Sequence, residues 1–240
     1  MTEPLLTAES VTKRFEGFIA LSDVGFVMHP GERVGLIGPN GSGKSTFVNC
    51  LTGVYRTDAG AIRFDGHDIT GMPSWLRCKQ GLVRTYQIPR PFRGMTVQQN
   101  IEVPLRFTAG HTSARELARR AQEILDKVGL IDSARLNPKR LSQVELRKLE
   151  LARAIAAAPK MLIADEAMAG LSESEVDEIL ELLHTLNSDG LSILLIEHIM
   201  RAVMSFSQRV IVIVAGRKIA DGLPDEVMRM DEVERAYLGE

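Results

Sequence analysis

Over residues 5 to 37 apolar and polar positions run in short stretches broken by glycine and proline, and Val34-Gly35-Leu36-Ile37 leads directly into a glycine-rich segment. The pattern predicts short strands, the last of them central. Apolar spacing over Thr46 to Thr52 predicts a helix, stopped by Gly53, a residue type that tolerates the left-handed C-terminal position. Ala61-Ile62-Arg63-Phe64 followed by Asp65-Gly66 predicts a further strand meeting a turn, and with it an antiparallel sheet in the N-terminal third. Between about Met95 and Ala158 strand signals vanish, and Ala, Leu, Arg and Glu predict helices over Ser113 to Val128 and Ser142 to Ala157, with Thr108 to Thr112, containing Gly110, as a flexible connection. After Pro159 two almost wholly apolar runs, Met161-Leu162-Ile163-Ala164 and Ile193-Leu194-Leu195-Ile196, flank an amphipathic helix from about Ser174 to Ser188. Short apolar runs alternating with helices suit strands buried on both faces of a parallel sheet.

Composition narrows the partners. The chain has 240 residues, 45 % of them apolar and 25 % charged, enough for one sizeable core with a subdomain. A net charge of −2 without a long basic block gives no footprint for nucleic acid, and none is expected as a partner. Cys50 and Cys78 form neither a metal cluster nor a disulfide scaffold, which fits packed thiols in a reducing compartment. An acid stands where a signal peptide would carry basic residues, and Val210 to Val214, with Ile193 to Ile196 the most apolar run, is far below the roughly 20 residues that cross a bilayer. The expectation is a cytoplasmic protein whose membrane connection goes through a partner.

The chemistry begins at Gly38-Pro39-Asn40-Gly41-Ser42-Gly43-Lys44-Ser45, which meets the full phosphate-loop rule between a strand and a helix. Glycines let the backbone approach phosphates, the amides of Ser42, Gly43, Lys44 and Ser45 form an anion nest, and the helix N-terminus adds positive potential. Lys44 is expected on the β and γ phosphates of ATP, the Ser45 hydroxyl on Mg²⁺, and Thr46 on the α-phosphate. The apolar run ending in Asp165-Glu166 sets two carboxylates at the exit of a buried strand; Asp165 is expected to hold Mg²⁺ through water and Glu166 to act as general base on the attacking water. The next apolar run ends in Glu197-His198, and a histidine at the carboxyl end of a parallel strand faces the ligand side, where it reaches the γ-phosphate. The fold class expected is α/β: a P-loop NTPase core of mostly parallel sheet with flanking helices, an N-terminal antiparallel β subdomain and an inserted α-helical subdomain. The divisions expected are 1–93 and 159–240 for the two parts of the core and 94–158 for the insert.

Phosphate loop, glutamine, Leu-Ser pair, Asp-Glu and histidine, in that order, resemble the ATP-binding cassette family across essentially the whole chain. The resemblance implies that Phe15 in Lys13-Arg14-Phe15 stacks on adenine, with Phe18 a second candidate, and that Gln87 in Arg84-Thr85-Tyr86-Gln87 senses Mg²⁺. Asn49-Cys50-Leu51-Thr52-Gly53, Ala169-Gly170-Leu171 and the terminal Ala236-Tyr237-Leu238-Gly239 are similar to the ATPase subunits of branched-chain or hydrophobic amino-acid importers. Lipopolysaccharide-export ATPases share some of these features. A soluble cassette of DNA repair or translation would carry two cassettes or an inserted coiled coil, and a small-molecule kinase would leave Leu141-Ser142 and His198 without purpose.

In this family two cassettes sandwich ATP head to tail, so each site needs the signature loop of the other subunit. Here the signature reads Leu141-Ser142-Gln143-Val144-Glu145, without glycine. Ser142 and Glu145 form a capping box that aims a helix N-terminus at the neighbour's γ-phosphate, but Val144 is bulky and resists positive φ. Ala167 and Ser172 depart from the usual proline and aspartate after the catalytic glutamate. The expectation is a dimer with a second cassette, a heterodimer favoured over a homodimer, peripheral at the inner face of the membrane. Its partners are transmembrane permease subunits and, indirectly, a substrate-binding protein. Ile88-Pro89-Arg90-Pro91-Phe92-Arg93, with an apolar ring among cations, is the expected permease-docking patch. Trp75, His67 and His111 are read as structural or surface residues.

Overall fold

The computed structural model describes residues 3–86, 89–108, 110 and 112–238. Two sheets meet at the site. The first is antiparallel: β1 (Leu6–Phe15), β2 (Phe18–Met28), β4 (Ala59–Phe64) and β5 (His67–Asp68), in the order β2-β1-β4-β5. The second contains β3 (Arg33–Ile37), β6 (Leu82–Arg84), β7 (Met161–Asp165), β8 (Ser192–Ile196), β9 (Arg209–Val214) and β10 (Arg217–Gly222), in the order β10-β9-β3-β8-β7-β6. All pairs in it are parallel except β9 with β10 at the edge. Every residue of β7 and β8 is buried, as the unbroken apolar runs require of strands covered on both faces.

The strands between residues 5 and 37 are longer than expected: β1 has 10 residues and β2 has 11. Their register shifts at three places, between Ala8 and Val11, Val11 and Lys13, and Lys13 and Arg14, while Ser10 and Asp23 take positive φ. Such bulges add a residue to one strand and reverse its in-out alternation, so one long strand reads in the sequence as two short ones.

The helices are α1 (Lys44–Leu51), α2 (Ser74–Lys79), α3 (Val97–Thr108), α4 (Ala114–Lys127), α5 (Gln143–Ala156), α6 (Glu173–Ser188), α7 (Met200–Phe206), α8 (Pro224–Val227) and α9 (Asp231–Leu238). Helix α1 starts two residues before the expected Thr46, because Gly43, at φ 108, supplies the N-terminal cap. At its other end Gly53 takes φ +75 as expected. There the buried Arg77 guanidinium donates to the carbonyls of Cys50 and Leu51, at 2.8 and 2.7 Å, and to those of Met72 and Thr70. A cation on the terminal carbonyls satisfies acceptors that the helix leaves open and complements its dipole. Burial lowers the Arg77 pKa to about 10.

Helices α3, α4 and α5 share one apolar core through Ile101, Leu105, Leu117, Ala121, Leu125 and Leu149. Helices α4 and α5 run between the expected limits, with Ser113 and Ser142 as their N-caps. Helix α3, which had no separate signal in the sequence, carries Pro104 in its interior. The expected connection from Thr108 to Thr112 is described only at Thr108, Gly110 and Thr112.

Candidate functional site

The phosphate loop leaves the carboxyl end of β3 and turns into α1, and its glycines are there for space as well as for φ. A Cβ on Gly38, at φ +150, would lie 2.0 Å from the Ile213 carbonyl oxygen; one on Gly43 would lie 2.8 Å from that of Ala20. The β9–β10 turn clamps the loop from outside, with the Gly216 amide donating to the Ser42 carbonyl at 2.8 Å. The Gly38 amide donates to the Tyr237 hydroxyl of α9, whose pKa burial raises.

One cleft gathers Phe18, Asn40 to Thr46, Glu166 and His198. Lys44 is buried, and its Nζ donates to the carbonyls of Gly38 at 2.7 Å and Pro39 at 3.0 Å. Burial lowers its pKa, while Glu166 and Asp165 pull it back up. The Ser42 hydroxyl is buried without a hydrogen-bond partner. A cradle open only to glycine, an orphaned hydroxyl, a buried lysine and a helix N-terminus together fit a polyphosphate.

Asp165 and Glu166 diverge at the end of β7. Asp165 is buried, and Arg84 from the end of β6 grips its Oδ2 from Nη2 at 2.5 Å and Nε at 3.2 Å; Arg84 Nη1 also donates to Asn49 Oδ1 of α1 at 2.6 Å. Glu166 sits at φ +47, a left-handed conformation unusual for a side chain with a Cβ, and its amide donates to the Ile196 carbonyl at 2.9 Å. Strain of about 1–3 kcal/mol is retained where surrounding structure enforces it, typically at functional positions. The turn brings Glu166 Oε1 to 2.9 Å from Nε2 of the exposed His198. Beneath them Glu197 is buried and its Oε1 accepts from the Met168 amide at 2.9 Å; burial raises its pKa, which amide bonds from Met168 and His198 oppose. Among the described residues no three His, Cys, Asp or Glu side chains form a metal cage. The oxygen donors present, Ser45 and Asp165, suit the small share of ligands a protein gives to Mg²⁺ beside phosphates and water.

Other expected residues stand apart. Phe15 packs edge-on against Tyr55, ring centroids 5.3 Å apart, and does not line the cleft, whereas its hairpin partner Phe18 does. Gln87 lies outside the described residues. Ser142 is an exposed N-cap away from the cleft of its own chain, with the expected capping box to Glu145 formed. Val144 lies within α5 and takes no positive φ, in keeping with its β-branched side chain. Ser172 is likewise an N-cap, of α6, in a capping box with Glu175. Trp75 is on the surface, as expected, in a groove it shares with Tyr86, Phe92 and Phe107 and the cations Lys79 and Arg153.

Arg84, Asn49, Arg77, Gly216 and Tyr237 were not singled out as site residues by sequence reasoning. Arg84, Asn49 and Tyr237 stand inside segments that carry the resemblance but without a role of their own, and for Gly216 the signal was the turn at Ala215-Gly216 after an apolar run.

Residues 21–169 match the profile of a family described as ABC transporter. The chain is 37 % identical over 254 aligned residues, covering 100 % of both proteins, to BraF of Pseudomonas aeruginosa, a high-affinity branched-chain amino acid transport ATP-binding protein. It is 34 % identical over 236 residues, covering 98 % of each, to LptB of Haemophilus influenzae, a lipopolysaccharide export system ATP-binding protein. The crystal structure of the ADP conformation of an ATP-binding cassette of an ABC transporter shares its fold with a TM-score of 0.88 and 29 % identity, covering 100 % of both chains.

Proposed function

The chain belongs to the ABC transporter family as one of its ATPase subunits, and on that premise we propose that it energises uptake of branched-chain or related amino acids through membrane permease partners. The observation that carries the hydrolytic part is the Glu166–His198 pair at the mouth of the phosphate-loop cleft. The loop amides and the Ser42 hydroxyl hold the phosphates, Thr46 takes the α-phosphate, and Lys44 leaves the Gly38 and Pro39 carbonyls for the β and γ positions. Glu166 accepts the proton of the attacking water, and His198 fixes the Glu166 carboxylate and contacts the γ-phosphate. Mg²⁺, held by Ser45, Asp165 and Gln87, supplies charge neutralisation on the phosphates when bound. Phe15 or Phe18 stacks on adenine. Ser142 reaches the γ-phosphate of a second cassette, a paralogue in the favoured arrangement.

The chain works at the cytoplasmic face of the membrane, where the groove of Trp75, Tyr86, Phe92 and Phe107 receives a permease helix. No helix among the described residues is long and apolar enough to cross the bilayer itself. A binding protein on the other side delivers the amino acid. The substrate rests on the full-length similarity to BraF. The test is uptake of labelled leucine by cells expressing the chain with the permeases encoded beside its gene. Uptake abolished by Lys44→Ala is expected; ATP hydrolysis without leucine uptake would overturn the substrate and leave the ATPase standing. The similarity to LptB supports the second reading, export of lipopolysaccharide, which a gene neighbourhood without permeases for amino acids would favour.

A further inference from the structure

We propose that Arg84 is a positioning residue that competes with the divalent metal for the Asp165 carboxylate, and that the ring of Tyr86 carries the state of the permease-facing groove to that competition. The inference rests on the assignment of Asp165 to the metal.

Three contacts make the case. The Arg84 fork places both Nε and Nη2 on the same oxygen, Asp165 Oδ2, in a setting where the two side chains are only 12 % and 11 % exposed. A charged pair so shielded from water is strong, and the carboxylate oxygen it occupies is one a metal's water shell would need. Arg84 also donates to Asn49 on α1, the helix that the phosphate loop opens. One guanidinium therefore ties together the end of β6, the end of β7 and the phosphate-loop helix.

The third contact leads outward. The Arg84 guanidinium lies over the Tyr86 ring, 5.4 Å from its centroid. Tyr86 is 52 % exposed and lines the groove with Trp75, Phe92 and Phe107, and Arg84 lines it as well. Arg84 touches both the groove and the metal-ligand carboxylate, with the Tyr86 ring packed beside its guanidinium. A segment seated in the groove meets the exposed Tyr86 ring as part of its lining. Moving that ring removes part of what holds the guanidinium in place and shifts the balance at Asp165.

The experiment follows Mn²⁺ by electron paramagnetic resonance as it binds the full chain loaded with a non-hydrolysable ATP analogue. Arg84→Gln is expected to bind Mn²⁺ about tenfold more tightly, the size of one charge-assisted hydrogen bond lost to the competitor. Arg84→Lys, which keeps the charge and loses the fork, is expected to gain less, and Tyr86→Leu to gain in the same direction. A purely structural role for Arg84 would weaken Mn²⁺ binding through damage to the site, so tighter binding separates the two. Equal or weaker binding in both Arg84 variants, with melting temperatures near that of the unmodified chain, overturns the competition. Unchanged binding in Tyr86→Leu overturns the link to the groove. Asp165→Asn serves as the reference: if it leaves Mn²⁺ affinity unaltered, the metal assignment itself fails, a result distinct from failure at Arg84.

Discussion

Oε1 of Glu166 stands 2.9 Å from Nε2 of His198 although the two belong to different strand ends, because β7 and β8 pair in register from Met161 with Ser192 to Asp165 with Ile196. Each side chain is the first or second residue beyond the paired segment. The left-handed turn at Glu166 then sends its carboxylate toward the neighbouring strand end.

Glu166→Gln keeps the shape of that contact and removes the base. Phosphate release is expected to fall roughly 10²- to 10⁴-fold while ATP binding persists, measured by single-turnover hydrolysis beside equilibrium binding of a fluorescent nucleotide. Loss of binding in step with hydrolysis would assign Glu166 to the nucleotide pocket instead.

Gly38→Ala tests the loop by volume. Its Cβ would sit 2.0 Å from a backbone oxygen that no side-chain rotation can move. A cost of about 1–3 kcal/mol or more in folding stability is expected, together with lost nucleotide affinity, read from thermal melting with and without ATP. Gly41→Ala has nothing within 4 Å of the new Cβ and only the backbone strain of φ +77, so its melting temperature is expected to fall less.

The signature loop predicts unequal sites. The chain alone is expected to hydrolyse ATP slowly and to reach full rate when mixed with a paralogous cassette whose signature retains its glycines. Full activity from this chain alone would overturn the heterodimer. Since Gln143 and Val144 already sit in the first turn of α5, replacing both with glycine should raise the rate of the lone chain at a cost of about 0.5–1 kcal/mol per residue in helix stability.

Glu197 predicts a pH dependence. Burial raises its folded-state pKa above the ordinary 4.5, so the folded chain binds that proton more tightly than the unfolded one. Its contribution is fully present below 4.5 and is lost as pH rises through the raised value. Glu197→Gln, which can still accept from the Met168 amide, is therefore expected to gain in melting temperature over the unmodified chain as pH climbs from 4.5 toward neutrality. A gap that does not change over that window would overturn the assignment.

The sequence made legible what is local. Gly38 to Ser45 carries its geometry in its own residue types, and Ser113, Ser142 and the apolar runs of β7 and β8 mark their elements by spacing alone. Bulges concealed the true lengths of β1 and β2, since a single inserted residue inverts the alternation that announces a strand. Arg84 and Arg77 were invisible for another reason. Their partners, Asp165 in one case and the carbonyls of Cys50 and Leu51 in the other, are distant in the chain, and an arginine's reach is not written in its neighbours. Phe15 and Phe18 were separable only once the hairpin had set one against Tyr55 and the other over the cleft.

Strand β3 carries the phosphate loop near the beginning of the chain, yet both of its sheet neighbours, β8 and β9, come from the last third, as do the Ile213 carbonyl against Gly38 and the Gly216 amide that holds Ser42. During translation the loop therefore leaves the ribosome long before anything that shapes it. A nascent chain holding only the first half of the sequence exposes both bare edges of β3 and cannot grip nucleotide, so ATP can stabilise the protein only after synthesis has passed the β9–β10 turn.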